Sequence, residues 1–416
     1  MRLIALYKTV QRNSRLVNPF GGYFLSSFSR NFVKIFIMAN IAICGGGIAG
    51  LTTAIALKKA GYAPVIFEAA PEFKAVGAGL GLAANAIKAL DKLGIKEEVI
   101  AEGRLLPSFS VLDEKGKAIM HTDSTRLSEK FGIDNFTIHR SALHEILLTS
   151  TEGLKLFSGK KCIRFEPQED NIVLHFSDGS QYICNYLIAA DGIHSPIRKQ
   201  LLPESTPRFA GYTCWRAVID NNIPSVSSSC EYWGRNGRFG LVPLAGNKLY
   251  WFATTNSSRD NPIFKNFKVK DLKSLFSNYH ETVELTLDNT PDEVLIWNDI
   301  IDLKPIPRYH FGNILLIGDA AHATTPNLGQ GACQAIEDAA VLSDELQKAK
   351  ELPLVFASFE KRRLKRTHFI IRQSEKLGKA AQLSHPLLIR IRNAILRTLP
   401  SQIQEKQLKK LYTTDF

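Results

Sequence analysis

Apolar and polar residues follow two different periods along the chain. Before about residue 206 and after about residue 305, short apolar runs are joined by stretches with helical spacing of apolar side chains, which predicts strands alternating with helices. Between Pro207 and Pro305 the period changes to two, in aromatic-rich runs such as "YTCWRAVI", "CEYWG", "RFGLVPL" and "KLYWFATT". Such alternation is typical of a mostly antiparallel sheet. The pattern predicts an α/β chain with a strand-rich insertion.

The segment "NIAICGGGIAGLTTAIALKKAGYAPVIFE" predicts a strand, a tight turn, a helix and a second strand. Gly45 permits the turn, Gly47 leaves room for a pyrophosphate beside the backbone, and Gly50 lets the helix pack close to the strand. Glu68 ends the second strand, where it is placed to accept hydrogen bonds from a ribose. This motif predicts a dinucleotide site and leaves FAD and NAD undistinguished. Its candidate residues are Gly45, Gly47, Ile48, Ala49, Gly50 and Glu68.

Two further apolar runs end at an Asp next to a glycine. In "CNYLIAADGIHSPIR" a predicted strand leads into Asp191, and in "NILLIGDAAH" another leads into Asp319. Gly329 and Gly331 then remove side chains where a helix is predicted to begin. The unpaired N–H groups of its first turn can therefore reach a flat ligand edge, and they favour negative charge. A reduced flavin carries such a charge, with Asp319 placed to hold its ribityl hydroxyls, so this motif favours a flavin over a nicotinamide.

Positive charge is concentrated at the two ends of the chain, whose formal net charge is +12. Residues 1–37 carry six Lys or Arg and no acidic residue, and residues 360–416 carry fourteen Lys or Arg and four acidic residues. The body between them is left with a net charge of −4. An acidic body argues against a nucleic-acid groove through the main fold.

The first 37 residues have the Arg- and Ser-bearing, acid-free composition of a mitochondrial transit peptide. Met38 stands directly before the first strand, so translation from a misplaced upstream start is the alternative, and it is the one we favour. In either case residues 1–37 are expected to lie outside the fold. The first interpretation implies a mitochondrial location and the second a cytoplasmic one.

The stretch "HPLLIRIRNAILRTLPSQIQEKQLKKLY" predicts an amphipathic basic helix. Leu387, Ile391, Ile395 and Leu399 share a stripe with helical spacing, and arginines lie off it. We expect the stripe to pack on the body while the cationic face meets solvent. Contact with a membrane surface is the alternative.

The six cysteines form no Cys-x-x-Cys pair and lie mostly in apolar runs, which favours reduced, buried thiols over disulfides or a metal site. No segment offers the ~20 consecutive apolar residues that a membrane-spanning helix needs. A second strand-borne glycine fingerprint is also missing, so a separate Rossmann domain for NADPH is not expected.

With these three motifs, in this order, the chain resembles the single-component flavoprotein aromatic hydroxylases of the p-hydroxybenzoate hydroxylase fold. The resemblance covers residues 38 to about 375, and "GYTCWRAVI" and the basic tail are similar to salicylate hydroxylase-like enzymes, FAD-dependent urate hydroxylase and zeaxanthin epoxidase. It implies an α/β fold with a Rossmann-like FAD-binding domain (residues 38–206 and 305–375), an inserted antiparallel substrate sheet (207–304) and C-terminal amphipathic helices (376–416).

The resemblance implies a reaction in which NADH or NADPH reduces a tightly but non-covalently bound FAD. O2 then adds to give a flavin C4a-hydroperoxide, and one oxygen atom enters a small aromatic or heteroaromatic substrate. It also assigns FAD-binding roles beyond the first motif. The residues concerned are Gly79, Leu80, Arg140, Asp191, Arg198, Gly318, Asp319, Gly329, Gln330 and Gly331.

Four residues are candidates for the chemistry on the substrate. Arg216 would orient an anionic substrate or stabilise the reduced flavin, and its alternative is an ion pair with a neighbouring acid. Pro326 matches a proline that lies near flavin and substrate in the family. Tyr212 and His194 are candidates for proton transfer, because a phenolic or enolic substrate must lose a proton before attack.

Two other functions stay open. One keeps the fold but epoxidises a polyene or reduces an isoprenoid double bond, and the other is a flavin-binding redox sensor without turnover. The sequence leaves the substrate, the choice between NADH and NADPH, and the choice between monomer and homodimer undecided.

Overall fold

The computed structural model describes residues 40–73, 78–223 and 225–416, without the side chains of residues 401, 402 and 404. The predicted N-terminal extension, residues 1–37, lies outside the described residues. The strands are β1 (Ile41–Cys44), β2 (Val65–Phe67), β3 (Gly79–Leu82), β4 (Arg104–Leu105), β5 (Ser108–Asp113), β6 (Ala118–Asp123), β7 (Phe136–His139), β8 (Lys155–Phe157), β9 (Cys162–Pro167), β10 (Ile172–Phe176), β11 (Gln181–Cys184), β12 (Tyr186–Ala189), β13 (Arg208–Asp220), β14 (Ser229–Gly234), β15 (Gly237–Leu244), β16 (Lys248–Asn256), β17 (Ile296–Asp302), β18 (His310–Phe311) and β19 (Ile314–Leu316).

Helices connect these strands and form the C-terminal region. They are α1 (Ile48–Lys59), α2 (Ala84–Leu93), α3 (Lys96–Ala101), α4 (Ser124–Phe131), α5 (Arg140–Ser150), α6 (Pro196–Leu201), α7 (Pro262–Lys265), α8 (Val269–Leu275), α9 (Glu281–Asp288), α10 (Asp319–His322), α11 (Gly331–Lys348), α12 (Leu352–Ala381), α13 (Pro386–Thr398) and α14 (Ser401–Tyr412). Short 3₁₀ turns lie at Asp292–Val294 and Pro326–Leu328.

A six-stranded sheet in the order β18-β19-β12-β1-β2-β8 carries the three glycine motifs. All its pairs are parallel except that of β18 with β19. Its central strands are fully buried apolar runs, as expected when helices cover both faces of a parallel sheet. Because β19, β12 and β1 are neighbours, the loops after them meet at one edge, where open α/β sheets bind ligands. The predicted fold class is confirmed.

The second large sheet has the order β17-β13-β16-β15-β14-β5-β6 and is antiparallel except where β5 pairs with β14. The predicted aromatic runs form β13 to β16. Trp215, Phe239 and Trp251 point to one face and pack with side chains of α8 and α9. Because side chains alternate along a strand, Arg216 and Phe252 lie on the opposite face.

The structure departs from the predicted segment boundaries in two places. Strands β5 and β6 belong to the second sheet although they come from the stretch assigned to the FAD-binding part. Helix α12 continues without a break across the predicted boundary at residue 375. Contiguous segments therefore describe this chain only approximately, because its second sheet is built from two separate stretches.

The predicted packing of the basic C-terminal helix is wrong about its face. Helix α13 does pack on the body, but its buried residues are Arg392 and Asn393. Leu387, Ile391 and Ile395 of the predicted packing stripe are exposed. The guanidinium of Arg392 lies over the ring of Trp233, 5.0 Å from its centroid, so a cation–π contact takes the place expected for aliphatic packing.

The cysteines are free thiols, and all but the half-buried Cys230 are buried. Within the described residues, no group of three His, Cys, Asp or Glu side chains is arranged to hold a metal ion. Across the same part of the chain, no helix combines the length and apolarity needed to span a bilayer.

Candidate active site

The three glycine motifs interlock pairwise at the edge of the parallel sheet. Gly45 has a positive φ of 111°, and a side chain there would collide with the carbonyl oxygen of Ala190 in the second motif. A side chain on Gly318, in the third motif, would meet the methyl group of Ala49 in the first. Arg198 of the second motif donates to the carbonyl of Ala320 in the third, at 3.1 Å. The motifs therefore form one unit and not three separate turns.

The amino end of α1 is open. Gly47 precedes the helix without a side-chain cap, and a Cβ built on it meets no atom within 4 Å. Gly50, by contrast, faces the carbonyl oxygen of Gly45 so closely that a methyl group would overlap it. The N–H groups of Ile48 and Ala49, which start the helix, have no partner further back in its turns and favour an anion.

Glu68 and His144 hold the backbone of this loop. The Glu68 carboxylate accepts from the N–H of Gly46 at 2.6 Å and from the N–H of Ala70 at 2.8 Å. The buried His144 ring contacts the carbonyl of Gly46 through Nε2 at 2.8 Å. Sequence reasoning did not find His144, which lies in "HRSALHEIL" at helical distance from Arg140.

Asp191 has two buried carboxylate oxygens, and neither has a hydrogen-bond partner among the described residues. Burial raises the pKa of this carboxyl to about 6, against the opposing effects of Ser195 and Arg198. Arg198 is itself buried and donates to the carbonyl of Ile193 at 2.5 Å as well as to Ala320. An unpartnered buried carboxylate needs a polar partner, which a ligand hydroxyl or a water molecule would supply.

Asp319 at the start of α10 and Arg140 at the start of α5 influence each other's pKa. Desolvation by the surrounding protein raises the pKa of Asp319, while His322 and Arg140 oppose the rise. Burial lowers the pKa of Arg140, with the nearby Asp319 opposing and Arg216 adding to the decrease. Arg140, Asp319 and Arg216 are therefore close enough to act on one another electrostatically.

Helix α11 begins with no side-chain cap, and a Cβ on Gly329 or Gly331 would enter open space. Gln330 is buried and accepts a hydrogen bond from Asn85 at 3.1 Å. Asn85 also donates to Glu337 at 2.9 Å. The open helix end thus rests on a buried polar network, which fixes the position of its N–H groups.

Deeper in the same network lies His322, whose Nε2 is 2.7 Å from Asp338. Asp338 also accepts from the N–H of Gly318 at 2.8 Å and from Arg363 at 2.7 Å. His322 therefore supports the loop of the third motif.

Tyr250, on the face of the second sheet that carries Arg216 and Phe252, packs against β3. Gly79 lies against Tyr250, whose Cβ is 2.6 Å from where a Gly79 Cβ would stand, and Leu80 follows it half-buried. Phe252 lies over Gly240. Arg216 donates to the amide oxygen of Asn298 at 2.6 Å, and no carboxylate pairs with it among the described residues. The alternative of a strand ion pair is therefore not observed for Arg216.

Tyr212 and the loop of Pro326 meet at Asn327. The Asn327 amide oxygen accepts from Tyr212 at 3.1 Å and from Arg238 at 2.7 Å, while its nitrogen donates to Thr325 at 2.8 Å. Burial raises the pKa of Tyr212. The 3₁₀ turn that starts at Pro326 is thereby tied to strands β13 and β15. Neither Asn327 nor Arg238 was found from the sequence, because a lone Asn or strand Arg carries no motif.

A cavity of about 220 Å³ lies beside Tyr212, between β13 and α12. Arg208 lines it and pairs with Asp302 at 2.5 Å and with Glu375 at 2.6 Å. His194 does not take part in this arrangement. It is exposed on the loop before α6, and its side chain makes no hydrogen bond within the described part of the chain.

Comparison with known proteins agrees with this geometry. Residues 38–367 match the family model described as "FAD binding domain". The chain is 35% identical to aurachin C monooxygenase/isomerase of Stigmatella aurantiaca over 87% of this chain and 94% of that protein. It is 30% identical to 2-heptyl-3-hydroxy-4(1H)-quinolone synthase of Pseudomonas aeruginosa, over 90% of this chain and 97% of that protein.

Among solved structures, the fold is similar to that of Klebsiella pneumoniae HpxO complexed with FAD and uric acid. The TM-score is 0.83 at 25% sequence identity, covering 90% of this chain and 97% of the other.

Proposed function

The chain belongs to the FAD-binding domain family of flavoprotein monooxygenases, and from this premise we propose that it hydroxylates a planar aromatic or heteroaromatic substrate with O2 and NADH or NADPH. The observation that carries the proposal is the pair of open helix ends at the edge of the parallel sheet, those of α1 and α11, together with the buried oxygens of Asp191 that have no partner among the described residues. FAD, when bound, supplies the redox chemistry with O2, and the protein supplies position, polarity and exclusion of water.

The residues present fit FAD. The open amino end of α1, with Ile48 and Ala49, would bind the pyrophosphate, and Glu68 would bind the ribose of the adenosine. Asp319 would hold ribityl hydroxyls, and the N–H groups at the amino end of α11 would stabilise negative charge on the reduced flavin. The unpartnered oxygens of Asp191 accept from a hydroxyl or from water in the same site. Arg140 neutralises charge on the phosphate side.

Arg216 orients the substrate beneath the second sheet. Asn298 holds one end of its guanidinium, and its remaining N–H groups are available for a carbonyl or phenolate oxygen of the substrate. Tyr250 and Phe252 supply flat apolar surface, as a pocket for a small aromatic molecule requires. The alternation of the strands puts these side chains on the same face.

The role of Tyr212 depends on the proton of its phenol hydroxyl. Because burial raises its pKa, the phenol stays protonated near neutral pH and serves as a hydrogen-bond donor, so it is suited to hold a proton at Oη and not to remove one from the substrate. Its donation to Asn327 leaves the lone pairs of Oη free to accept.

The relatives favour a bicyclic heteroaromatic substrate. One relative is named for a heptyl hydroxyquinolone, and the solved HpxO structure contains uric acid. Both named molecules are planar and carry ring carbonyl and N–H groups. We therefore propose that the substrate is a quinolone-like or purine-like ring with an exchangeable ring proton.

The test is substrate-stimulated oxidation of NADH and NADPH by the purified full chain. The panel contains 2-alkyl-4-quinolones, purines, phenolic acids, nicotinates and a carotenoid, and product oxygen is traced with ¹⁸O2. A yellow protein whose oxidation rate rises with one ring compound, with ¹⁸O in the product, is expected. Stimulation by the carotenoid alone, or by none of the compounds, would contradict the proposal.

A further inference from the structure

Polar side chains fix the orientation of α13 on the body. The buried Arg392 lies over Trp233 and donates to the carbonyls of Ala380 at 3.2 Å and Ala381 at 3.1 Å. On another side of the helix, Arg397 donates to the carbonyl of Ala118 at 3.0 Å and to Asp113 at 2.8 Å. These contacts hold the helix with one particular face outward.

The outward face is apolar. Leu387, Leu388, Ile391 and Ile395, called here the apolar stripe, have exposures of 58, 46, 48 and 55%. Spacings of three and four residues place them on one side of the helix. Single exposed apolar side chains are common on protein surfaces, but a contiguous row beside charged residues marks an interaction site.

The charge around the apolar stripe is positive. Helix α13 contains no acidic residue, and of its three Arg, Arg392 is buried, Arg397 pairs with Asp113 and Arg390 is exposed beside the stripe. The two carboxylates further along the chain are already engaged, Glu405 with Lys130 and Asp415 with Arg362. A partner for this surface must therefore be apolar at its centre and negative around it.

We propose that the apolar stripe inserts into the interfacial region of an anionic lipid bilayer, with α13 parallel to the membrane plane. A helix with aliphatic side chains on one face and a cationic side chain at its border lies in this way at the boundary between headgroups and acyl chains. Arg390 extends its guanidinium to lipid phosphates while its methylene groups stay in apolar surroundings.

A second copy of the chain fits this surface less well. The helix is only about 20 Å long, and its four half-exposed side chains cover far less than the roughly 800 Å² per partner that a stable interface buries. Two copies related by a twofold axis would also bring the Arg390 side chains of both molecules close to the same contact, without a carboxylate from either helix to compensate.

Co-sedimentation with vesicles tests the proposal on the full chain with bound FAD. Vesicles of phosphatidylcholine with phosphatidylglycerol are compared with pure phosphatidylcholine vesicles. The double variant Ile391→Ser/Ile395→Ser should lower the partition coefficient on anionic vesicles roughly tenfold, because each substitution removes aliphatic surface from the interface. Leu387→Ser/Leu388→Ser should give a similar loss. Arg390→Gln should weaken binding to anionic vesicles and leave binding to neutral ones unchanged.

The matched control is Ile263→Ser, which removes an isoleucine of 68% exposure from α7 and should bind as the wild type does. Flavin absorbance and melting temperature of each variant establish that it is folded. Absence of wild-type binding, or equal binding by wild type and both stripe variants, would overturn the proposal. So would a wild-type dimer that the stripe variants convert to a monomer without any vesicle binding.

Discussion

Gly50 lies directly against the carbonyl oxygen of Gly45, at a separation that no side chain on Gly50 would permit. Three residues before Gly50, Gly47 faces open space. The same short loop therefore contains one glycine needed for the packing of α1 on the sheet and another whose missing side chain leaves room only for a ligand.

Alanine substitutions should distinguish the packing role of Gly50 from the ligand-binding role of Gly47. We expect Gly50→Ala to lower the free energy of unfolding of the apoprotein by roughly 2 kcal/mol or more, because the added methyl group overlaps the backbone. Gly47→Ala should leave apoprotein stability nearly unchanged and yet reduce FAD binding strongly. Urea unfolding and flavin absorbance measure the two quantities, and equal effects of both variants on stability would refute this division.

Asp319→Ala should abolish retention of flavin during purification, since it removes the carboxylate proposed to hold the ribityl hydroxyls. Asp319→Asn keeps the shape and part of the hydrogen bonding, so it should retain flavin more weakly than the wild type. The ratio of absorbance at 450 nm to that at 280 nm is the measurement. A full complement of FAD in Asp319→Ala would exclude this assignment.

Arg216→Ala should keep its flavin and lose the stimulation of NAD(P)H oxidation by substrate. Its guanidinium contacts only Asn298 among the hydrogen-bonding partners described, so its loss should cost little stability. Asn298→Ala is a useful companion, because it frees the guanidinium without removing it and should raise KM more than it lowers kcat. Unchanged stimulation in Arg216→Ala would return this residue to a structural role.

The apoprotein should depend on pH through Asp191. Burial raises the pKa of this carboxyl from its usual 3.8 to about 6, so between these values the folded state binds more protons than the unfolded chain. Its contribution to stability is therefore full below about pH 4 and is lost as the pH rises through 6. The free energy of unfolding of Asp191→Asn, relative to that of the wild type, should increase by up to roughly 3 kcal/mol as the pH rises from 4 to 7. A difference in unfolding free energy that stays constant over this range would contradict the expectation.

Tyr212→Phe should fold and bind FAD but react more slowly with substrate, because it removes only the hydroxyl that donates to Asn327. If Tyr212 holds a proton during turnover, the pH profile of kcat should change, whereas a purely structural hydroxyl would leave the profile unchanged. Stopped-flow measurement of flavin reduction and reoxidation across pH distinguishes these cases.

Glycines made much of the site predictable. Local backbone sterics require glycine at positions 45, 47 and 50. Because these requirements involve only a few neighbouring residues, they can be recognised in a single segment of sequence. The apolar runs before Asp191 and Asp319 likewise predicted strands, and the structure shows that these strands are parallel neighbours whose ends lie at one edge of the sheet.

Other parts of the site depend on contacts between distant segments. Tyr250 meets Gly79, and Asn327 joins β13, β15 and its own loop, only because tertiary packing brings distant segments together, which no local pattern encodes. For α13, the apolar spacing gave the helix correctly but not its buried face. That face is determined by Trp233 of β14, whose ring contacts the guanidinium of Arg392.

The inclusion of β5 and β6 in the second sheet has a consequence for biosynthesis. Ser229 of β14, which pairs next to β5, is synthesised 121 residues after Ser108. At roughly 5–20 residues per second, the earlier hairpin waits on the order of ten seconds for its neighbour to leave the ribosome. During that interval a strand edge of the nascent chain is uncovered, which makes this hairpin prone to aggregation until β14 pairs with it.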